Sequence, residues 1–297
     1  MQHSAAIWTE APYWADVYKD PNWKDEKAVW KVEEPYSHEE TEKLFQVGMD
    51  FFKTKDVQEK KFSTDLVPVQ FPDAKYPVLT PFFPDSASTQ FLQAPVRYAL
   101  YSMKGEPLDV DITVAAAPIY TLLDEGGKVI LSNDKFKPLS ERMVGENKVH
   151  KFQLKVPRAG LYYFDVKVAG WWGIGFPKGR MGTVELRRTN ALDSYVWGNT
   201  NHYFYVPLGT REIQYYWAGA PHKLIDPADN VVVDTTASGE YITVGVPEGM
   251  DGQVWSITGR LGHLWLFNCP NYTAATPEAL MVPREVAEKD GLVILQG

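Results

Sequence analysis

The chain is almost without cysteine: Cys269 is the only one among its 297 residues. An intrachain disulfide is therefore excluded, and packing and hydrogen bonds must stabilise the fold without one. Cys269 ends the apolar run Leu-Trp-Leu-Phe-Asn-Cys. This setting predicts a buried small hydrophobe rather than a catalytic nucleophile.

Long apolar runs and dense basic clusters are also missing. No stretch approaches the ~18 apolar residues of a membrane-spanning helix. The N-terminus lacks the charged region and apolar core of a signal peptide, but the compartment stays open because a longer secreted protein could contain this chain. The net charge is −8 and Arg187-Arg188 is only a pair, so phosphate backbones would be repelled. The sequence thus predicts neither a membrane partner nor a nucleic-acid partner.

Signatures of catalysis and of metal or cofactor binding are absent. There is no Gly-x-Ser-x-Gly, no His-Glu-x-x-His, and no histidine pair at i, i+2 or i, i+4. The glycine-rich stretch 170–182 lacks the Gly-Lys-Ser/Thr of a phosphate loop. Asp109 and Asp111 could approach a calcium ion, but the solvated side of a half-buried strand explains them better. The sequence predicts no metal and no cofactor, while paired carboxylates that meet only in space stay open.

Aromatic residues are what the chain has in excess: 10 Trp, 16 Tyr and 14 Phe. Such rings favour strands, and they also provide surfaces on which sugars stack. Four of the tryptophans fall in the first 30 residues, before a capping box at Ser37 and an amphipathic helix of about 15 residues. Residues 62–84 contain five prolines, which predicts an extended surface connector with no central strand.

One segment occurs twice, about 90 residues apart, at 149–164 and 240–255. In each copy an alternating strand ends at Val-Pro, a glycine turn follows, and an aromatic strand returns. A repeat at this spacing predicts two copies of one all-β unit of sandwich size. We therefore expect a mainly β fold: two tandem antiparallel β-sandwich domains at 86–189 and 190–297, after a short helical and irregular N-terminal segment at 1–85.

Alternating, turn-bounded runs predict the individual strands. Period-two alternation places the apolar residues of 108–114 on one face, and Gly126-Gly127 predicts a hairpin. The other main predicted strands are 149–156 and 161–168 in the first domain, and 202–206, 211–217, 231–234, 241–246, 254–258 and 264–268 in the second.

The first candidate binding site is the pair Trp171-Trp172, set among glycines and followed by Arg180. Adjacent strand residues point to opposite faces, so the two rings cannot share one core. Flanking glycines let a ligand approach the backbone, and an indole face near a guanidinium suits a sugar ring. The alternative is structural: one ring closes the end of the sandwich, and the other covers an interface with the N-terminal segment.

A second candidate lies in Glu-Ile-Gln-Tyr-Tyr-Trp, which ends at Trp217. Alternation puts Trp217 in the core and Tyr216 on the surface, where its ring could meet a ligand. His222 follows in an expected loop and could hydrogen-bond a ligand, although water is the usual partner of such a histidine. Tyr163, in the aromatic strand of the first repeat, is a further candidate ring.

Several stretches of the second domain carry a resemblance: Pro221-His-Lys-Leu-Ile-Asp-Pro, Val246-Pro-Glu-Gly-Met-Asp-Gly-Gln-Val-Trp-Ser, Asn268-Cys-Pro-Asn-Tyr and Val282-Pro-Arg-Glu-Val. They resemble the C-terminal β-sandwich region of large uncharacterised bacterial proteins associated with polysaccharide breakdown, often beside a glycoside-hydrolase-like barrel. The likeness covers the second domain well and the first more loosely. Its motifs are turns, so it carries over no catalytic residue. It implies a non-catalytic accessory or carbohydrate-binding protein, with a polysaccharide or oligosaccharide and a neighbouring catalytic domain or subunit as partners.

Two other functions stay open. A polysaccharide-active hydrolase or lyase could use the same scaffold, because fold does not determine function. It would need two carboxylates, or a tyrosine with a histidine or arginine, converging in a groove. A structural or assembly module would instead use exposed rings to meet another protein.

Replacing Trp171 or Trp172 with alanine tests the tryptophan pair. If the first domain binds sugar through these rings, we expect affinity to fall by ~1 to 3 kcal/mol while the melting temperature stays nearly unchanged. A ring in the core would instead cost ~3 to 5 kcal/mol of stability on truncation. One thermal melt and one calorimetric titration of each variant separate these outcomes.

Overall fold

Short runs rich in β-branched and aromatic residues form the strands of this protein, as their alternation predicts. The computed structural model describes residues 59–71, 88–92, 96–114, 119–132, 140–144, 147–167, 172–176, 182–186, 195–236 and 238–296. Within these ranges the protein is mainly β, and its strand pairs are antiparallel. The predicted helix after Ser37 and the N-terminal tryptophans lie outside the described residues. Residues 58–297 form one compact unit.

The described ranges contain twenty strands, one α-helix and one short 3-10 helix. The strands are β1 (Leu66–Gln70), β2 (Ser88–Leu92), β3 (Val96–Ser102), β4 (Leu108–Val114), β5 (Ile119–Asp124), β6 (Val129–Ser132), β7 (Ser140–Val144), β8 (Asn147–Leu154), β9 (Gly160–Lys167), β10 (Trp172–Phe176), β11 (Gly182–Glu185), β12 (Tyr195–Val206), β13 (Glu212–Gly219), β14 (His222–Ile225), β15 (Val231–Thr235), β16 (Glu240–Gly245), β17 (Gln253–Leu266), β18 (Tyr272–Ala274), β19 (Met281–Pro283) and β20 (Val293–Ile294). The α-helix is α1 (Arg284–Asp290), and the 3-10 helix is Pro277–Ala279.

Strand pairing arranges most of these strands into two extended antiparallel sheets. The first sheet has the order β6-β5-β9-β3-β11-β18-β12-β17-β14-β15. The second has the order β7-β8-β4-β10-β2-β12-β17-β13-β16. The long strands β12 and β17 belong to both sheets, each along a different part of its length. In β12 a register shift between Trp197 and Thr200 separates the two parts.

The main core lies between the two sheets. Leu108, Val110 and Ile112 all point into it from β4, which confirms the predicted alternation. Phe164 and Trp217 belong to the same buried cluster although they come from different predicted domains. Strand pairs β2–β12 and β11–β18 also join residues on either side of the predicted boundary. The division into two domains at 189/190 therefore stays a prediction.

The repeated segment forms a similar corner twice. β8 lies in the second sheet and β9 in the first; likewise β16 lies in the second sheet and β17 begins in the first. In the first copy the Tyr162 hydroxyl donates to the Arg158 carbonyl oxygen at 2.8 Å. In the second the Trp255 indole N–H donates to the Met250 carbonyl oxygen at 2.8 Å. A buried ring thus ties each returning strand to its own turn, as the tyrosine corner of other β-sandwiches does.

The prediction of separate strands at 254–258 and 264–268 is wrong, because one continuous strand, β17, spans 253–266. Gly259 and Gly262 lie between the two predicted strands. Gly259 lets the strand pass directly against the core: a Cβ there would lie 2.5 Å from the Trp217 ring.

The prediction that 62–84 holds no central strand is also wrong. β1 is the middle strand of a small sheet with the order β19-β1-β20. The Arg284 N–H donates to the Asp65 carbonyl oxygen at 2.8 Å, so Asp65 and Arg284 form a hydrogen-bonded pair. Hydrogen-bonded and non-hydrogen-bonded pairs alternate along an antiparallel ladder. Pro283, opposite Leu66, and Pro68, opposite Met281, are therefore at non-hydrogen-bonded positions. Neither proline removes a bond from that ladder, so both fit.

Gly259→Ala is expected to destabilise the protein by about 1 to 3 kcal/mol through overpacking. The reason is the 2.5 Å approach of the added methyl group to the Trp217 ring. Gly245→Ala at the end of β16 is the matched control, because nothing lies within 4 Å of its added Cβ. Its stability should change by no more than about 0.5 kcal/mol. Urea unfolding measures both, and equal stabilities would contradict the close packing at Gly259.

Candidate functional site

The predicted site around the tryptophan pair lies mostly beyond what the structure describes. Trp171 and Arg180 are outside the described residues. Trp172 begins β10, whose backbone pairs with β2 and β4 in the second sheet. The ligand contacts expected of these residues stay predictions.

Tyr163 on β9 is buried, with 8% of its surface exposed, and its hydroxyl donates to the Thr64 carbonyl oxygen at 2.8 Å. Arg97 on β3 lies over the ring, 5.2 Å from its centroid. These contacts fasten the segment before β1 to the first sheet. They give Tyr163 a structural role.

Two carboxylates flank Arg97 in register on the same sheet face: Asp165 on β9 and Glu185 on β11. Arg97 donates to Asp165 through Nε at 2.7 Å and through Nη2 at 2.8 Å. This hydrogen bonding, more than burial or the charge of Glu185, sets the raised pKa of Arg97. A glycosidase needs one carboxyl group to act as an acid and the other as a base or nucleophile. Here Asp165 is already held in a bidentate ion pair with Arg97. We therefore assign the row formed by Asp165, Arg97 and Glu185 a structural role.

Tyr216 on β13 is only 5% exposed, so the prediction that its ring lies on the surface is wrong. The alternation itself is confirmed, because Trp217 is fully buried in the main core while Tyr216 points to the other side. Tyr216 is covered by its neighbours in the sheet. It pairs in register with Tyr241 on β16 and with Trp265 on β17.

Four rings form a contiguous surface on the outer side of the second sheet, which we call the aromatic face: Tyr216, Tyr241, Trp265 and Phe267. Ring centroids lie 5.1 Å apart for Tyr216 and Tyr241, 5.5 Å apart for Tyr241 and Phe267, and 5.5 Å apart for Trp265 and Phe267. Tyr216 and Phe267 are buried, whereas Tyr241 and Trp265 are half-buried. The two accessible rings therefore rest on two enclosed ones, which restricts their orientation.

Polar side chains border the aromatic face. Gln214 and Thr243 form a cross-strand pair one row to one side, and His263 lies one row to the other. Thr243 is exposed, while Gln214 and His263 are half-buried. Hydroxyl, amide and imidazole groups both donate and accept hydrogen bonds. The arrangement can present a flat apolar surface edged by such groups.

Sequence reasoning missed Tyr241 and Trp265. The available signal was alternation in 241–246 and 264–268, which puts each ring on the face opposite the core. Alternation does not show the register between strands, so it could not bring these rings together with Tyr216.

His222 begins β14 and is 1% exposed, so the expectation of a loop position is wrong. Its Nε2 lies 2.8 Å from the Tyr215 hydroxyl oxygen, and its ring stacks on Trp217 with centroids 4.7 Å apart. Burial lowers the pKa of His222 to about 4 and raises the pKa of Tyr215. His222 is thus enclosed under β13, whose other side carries the aromatic face.

Within the described ranges, no group of three or more His, Cys, Asp or Glu side chains is placed to hold a metal ion. In the same part of the chain, no helix has the length and apolar character needed to cross a membrane.

No protein-family model matches the chain, and no curated protein matches it significantly. The resemblance to polysaccharide-associated sandwich proteins therefore stays a prediction.

Cys269 is 1% exposed, as the sequence predicts, and burial raises the pKa of its thiol to about 12. Because the thiolate is the attacking species, we expect dithiodipyridine at pH 8 to react with the native protein at least about 100-fold more slowly than with the urea-unfolded chain. Absorbance time courses at equal protein concentration measure the two rates. Similar rates would show that the native thiol is accessible.

Proposed function

We propose that the chain is a non-catalytic β-sandwich protein that binds polysaccharide or oligosaccharide, as an accessory component of polysaccharide utilisation. The aromatic face is the observation that supports this most. Core packing explains most rings of a β-sandwich, but these four lie on the side of the second sheet that faces away from the main core. Two of them, Tyr241 and Trp265, are accessible enough to contact a ligand.

Sugar chemistry matches this surface. A pyranose has an apolar face of C–H groups and a polar rim of hydroxyls. The face can stack on Trp265 or Tyr241, while the rim reaches Thr243 and Gln214 at the border. Rings already held by packing lose little conformational freedom on binding, so more of the contact energy remains as affinity.

Charge favours a neutral glycan over an anionic one. The chain carries a net charge of −8, which repels sulfated or uronate-rich polymers over longer distances. Glu212 and Glu240, at the ends of the strand pair β13–β16 that carries part of the aromatic face, are both exposed. We therefore expect uncharged polysaccharides among the ligands, and a neighbouring catalytic domain or subunit as the partner that uses the bound chain.

A polysaccharide-active enzyme is the second candidate. The row formed by Asp165, Arg97 and Glu185, beside Tyr163, has the residue types that such chemistry uses. Its bidentate ion pair argues for a structural role instead. Assays for reducing ends and unsaturated products on the same glycans distinguish this candidate, because turnover that Glu185→Gln abolishes would favour it over binding alone.

Trp265→Leu and Tyr241→Leu are expected to weaken binding of the ligand found in a calorimetric panel of plant, algal and host glycans. Each variant should lose about 5- to 150-fold in affinity, corresponding to ~1 to 3 kcal/mol for a stacking ring. Leucine keeps an apolar side chain at each position but removes the flat π surface. Isothermal titration at pH 7.5 measures the change.

Tyr101→Leu is the matched control, since Tyr101 is also a half-buried strand tyrosine but packs beside a different cluster. It should bind as the unchanged protein does. Equal affinity of all three variants would remove the aromatic face from the binding site. No heat with any glycan would overturn the binding function itself and favour an assembly role, which sedimentation would show as a concentration-dependent oligomer.

A further inference from the structure

His222 is a titratable side chain enclosed in the core beneath the aromatic face. Its Nε2 lies 2.8 Å from the Tyr215 hydroxyl oxygen, and its ring stacks on Trp217 with 29° between the planes. The other ring nitrogen, Nδ1, is buried and makes no hydrogen bond within the described structure. Gly259 on β17 leaves room for this packing, since a Cβ there would lie 3.1 Å from that of His222.

The folded core does not accommodate the protonated imidazole of His222 favourably. Neutral imidazole has one donor and one acceptor nitrogen, whereas the protonated ring has two donors. The Tyr215 hydroxyl can accept one of these N–H groups, but the N–H on Nδ1 stays buried without an acceptor. An unpaired buried donor and a buried charge both destabilise the folded state.

The surrounding groups offset this charge poorly. Asp234 on β15 favours the protonated form of His222, but it is exposed and forms an ion pair with Lys223 at 3.1 Å. β13 presents Tyr215, a neutral phenol, and β17 presents a glycine. His202 on β12 is a second imidazole that is 1% exposed, and burial lowers its pKa to about 4, but it lies opposite Ile257 rather than Gly259 on β17.

We propose that His222 is an acid-sensitive latch: proton uptake by its imidazole undoes the packing of β14 against β13 and thereby weakens ligand binding at the aromatic face. The coupling follows from β13, on which Tyr215 and Trp217 contact His222 and Tyr216 supports the aromatic face. The release of ligand rests on the proposed carbohydrate binding. The acid sensitivity of the fold does not.

Proton linkage gives the pH range. In the unfolded chain the imidazole titrates near its ordinary pKa of ~6.5, whereas burial lowers the pKa of folded His222 to about 4. Between these values the unfolded chain binds more protons. The contribution of His222 to stability is therefore complete above about pH 6.5, falls as the pH drops toward about 4, and changes no further below that.

The test compares Tyr215→Phe with the double variant Tyr215→Phe/His222→Phe. The single variant keeps the buried imidazole, while the double variant replaces both partners by rings of similar shape, which limits its own cost. Urea unfolding between pH 7.5 and pH 4.5 gives the unfolding equilibrium constant of each. For each variant the ratio of this constant at pH 5 to its value at pH 6 is compared. This ratio should be about seven times larger in Tyr215→Phe than in the double variant. Ligand affinity should fall with acid in Tyr215→Phe and less so in the double variant.

The outcomes separate the latch from the proposed function. The same pH dependence of unfolding in both variants would overturn the latch. If the two variants differ in the pH dependence of unfolding but acid changes the ligand affinity of neither, His222 does not control binding. Different pH dependence in a protein that binds no glycan at any pH would support the latch and overturn carbohydrate binding.

Discussion

The fold depends on two strands, β12 and β17, that each belong to both extended sheets. A strand that passes from one sheet to another must bend or allow a close approach of the layers. β12 does so through the register shift between Trp197 and Thr200. β17 places Gly259 directly against Trp217, where no side chain would fit. The main buried cluster between the two sheets therefore holds residues of both predicted domains, such as Phe164 and Trp217.

The core and the candidate binding surface lie on opposite sides of the same strand, β13. Along β13, Tyr215 and Trp217 point into the core and Tyr216 points outward between Tyr241 and Trp265. Any movement of β13 that repacks its inner residues must shift its outer ring as well. The contacts of His222 with Tyr215 and Trp217 are therefore the connection through which the proposed proton uptake would act on the aromatic face.

Local patterns predicted what depends on a single strand. The alternation of 108–114, the burial of Trp217 and Cys269, and the repeated corner at 149–164 and 240–255 are all visible in the chain and present in the structure. Local patterns do not predict features that depend on the register between strands, such as the burial of Tyr216 and the pairing of β1. Tyr216 was expected at the surface because the rings that cover it lie 25 and 49 residues away in sequence. β1 was missed for a similar reason, since the tolerance of its proline comes from the position of the partner strand.

Two groups of aromatic rings differ in the contacts that they make. Tyr162, Trp217 and Trp255 each donate a hydrogen bond to a nearby carbonyl oxygen, at Arg158, Ala220 and Met250. Those rings satisfy their own polar groups inside the fold and are needed for its corners. The rings of the aromatic face instead contact one another side by side, and two of them, Tyr241 and Trp265, are only half-buried. The partial exposure of these two rings, clustered at one place, is what supports the proposed binding surface.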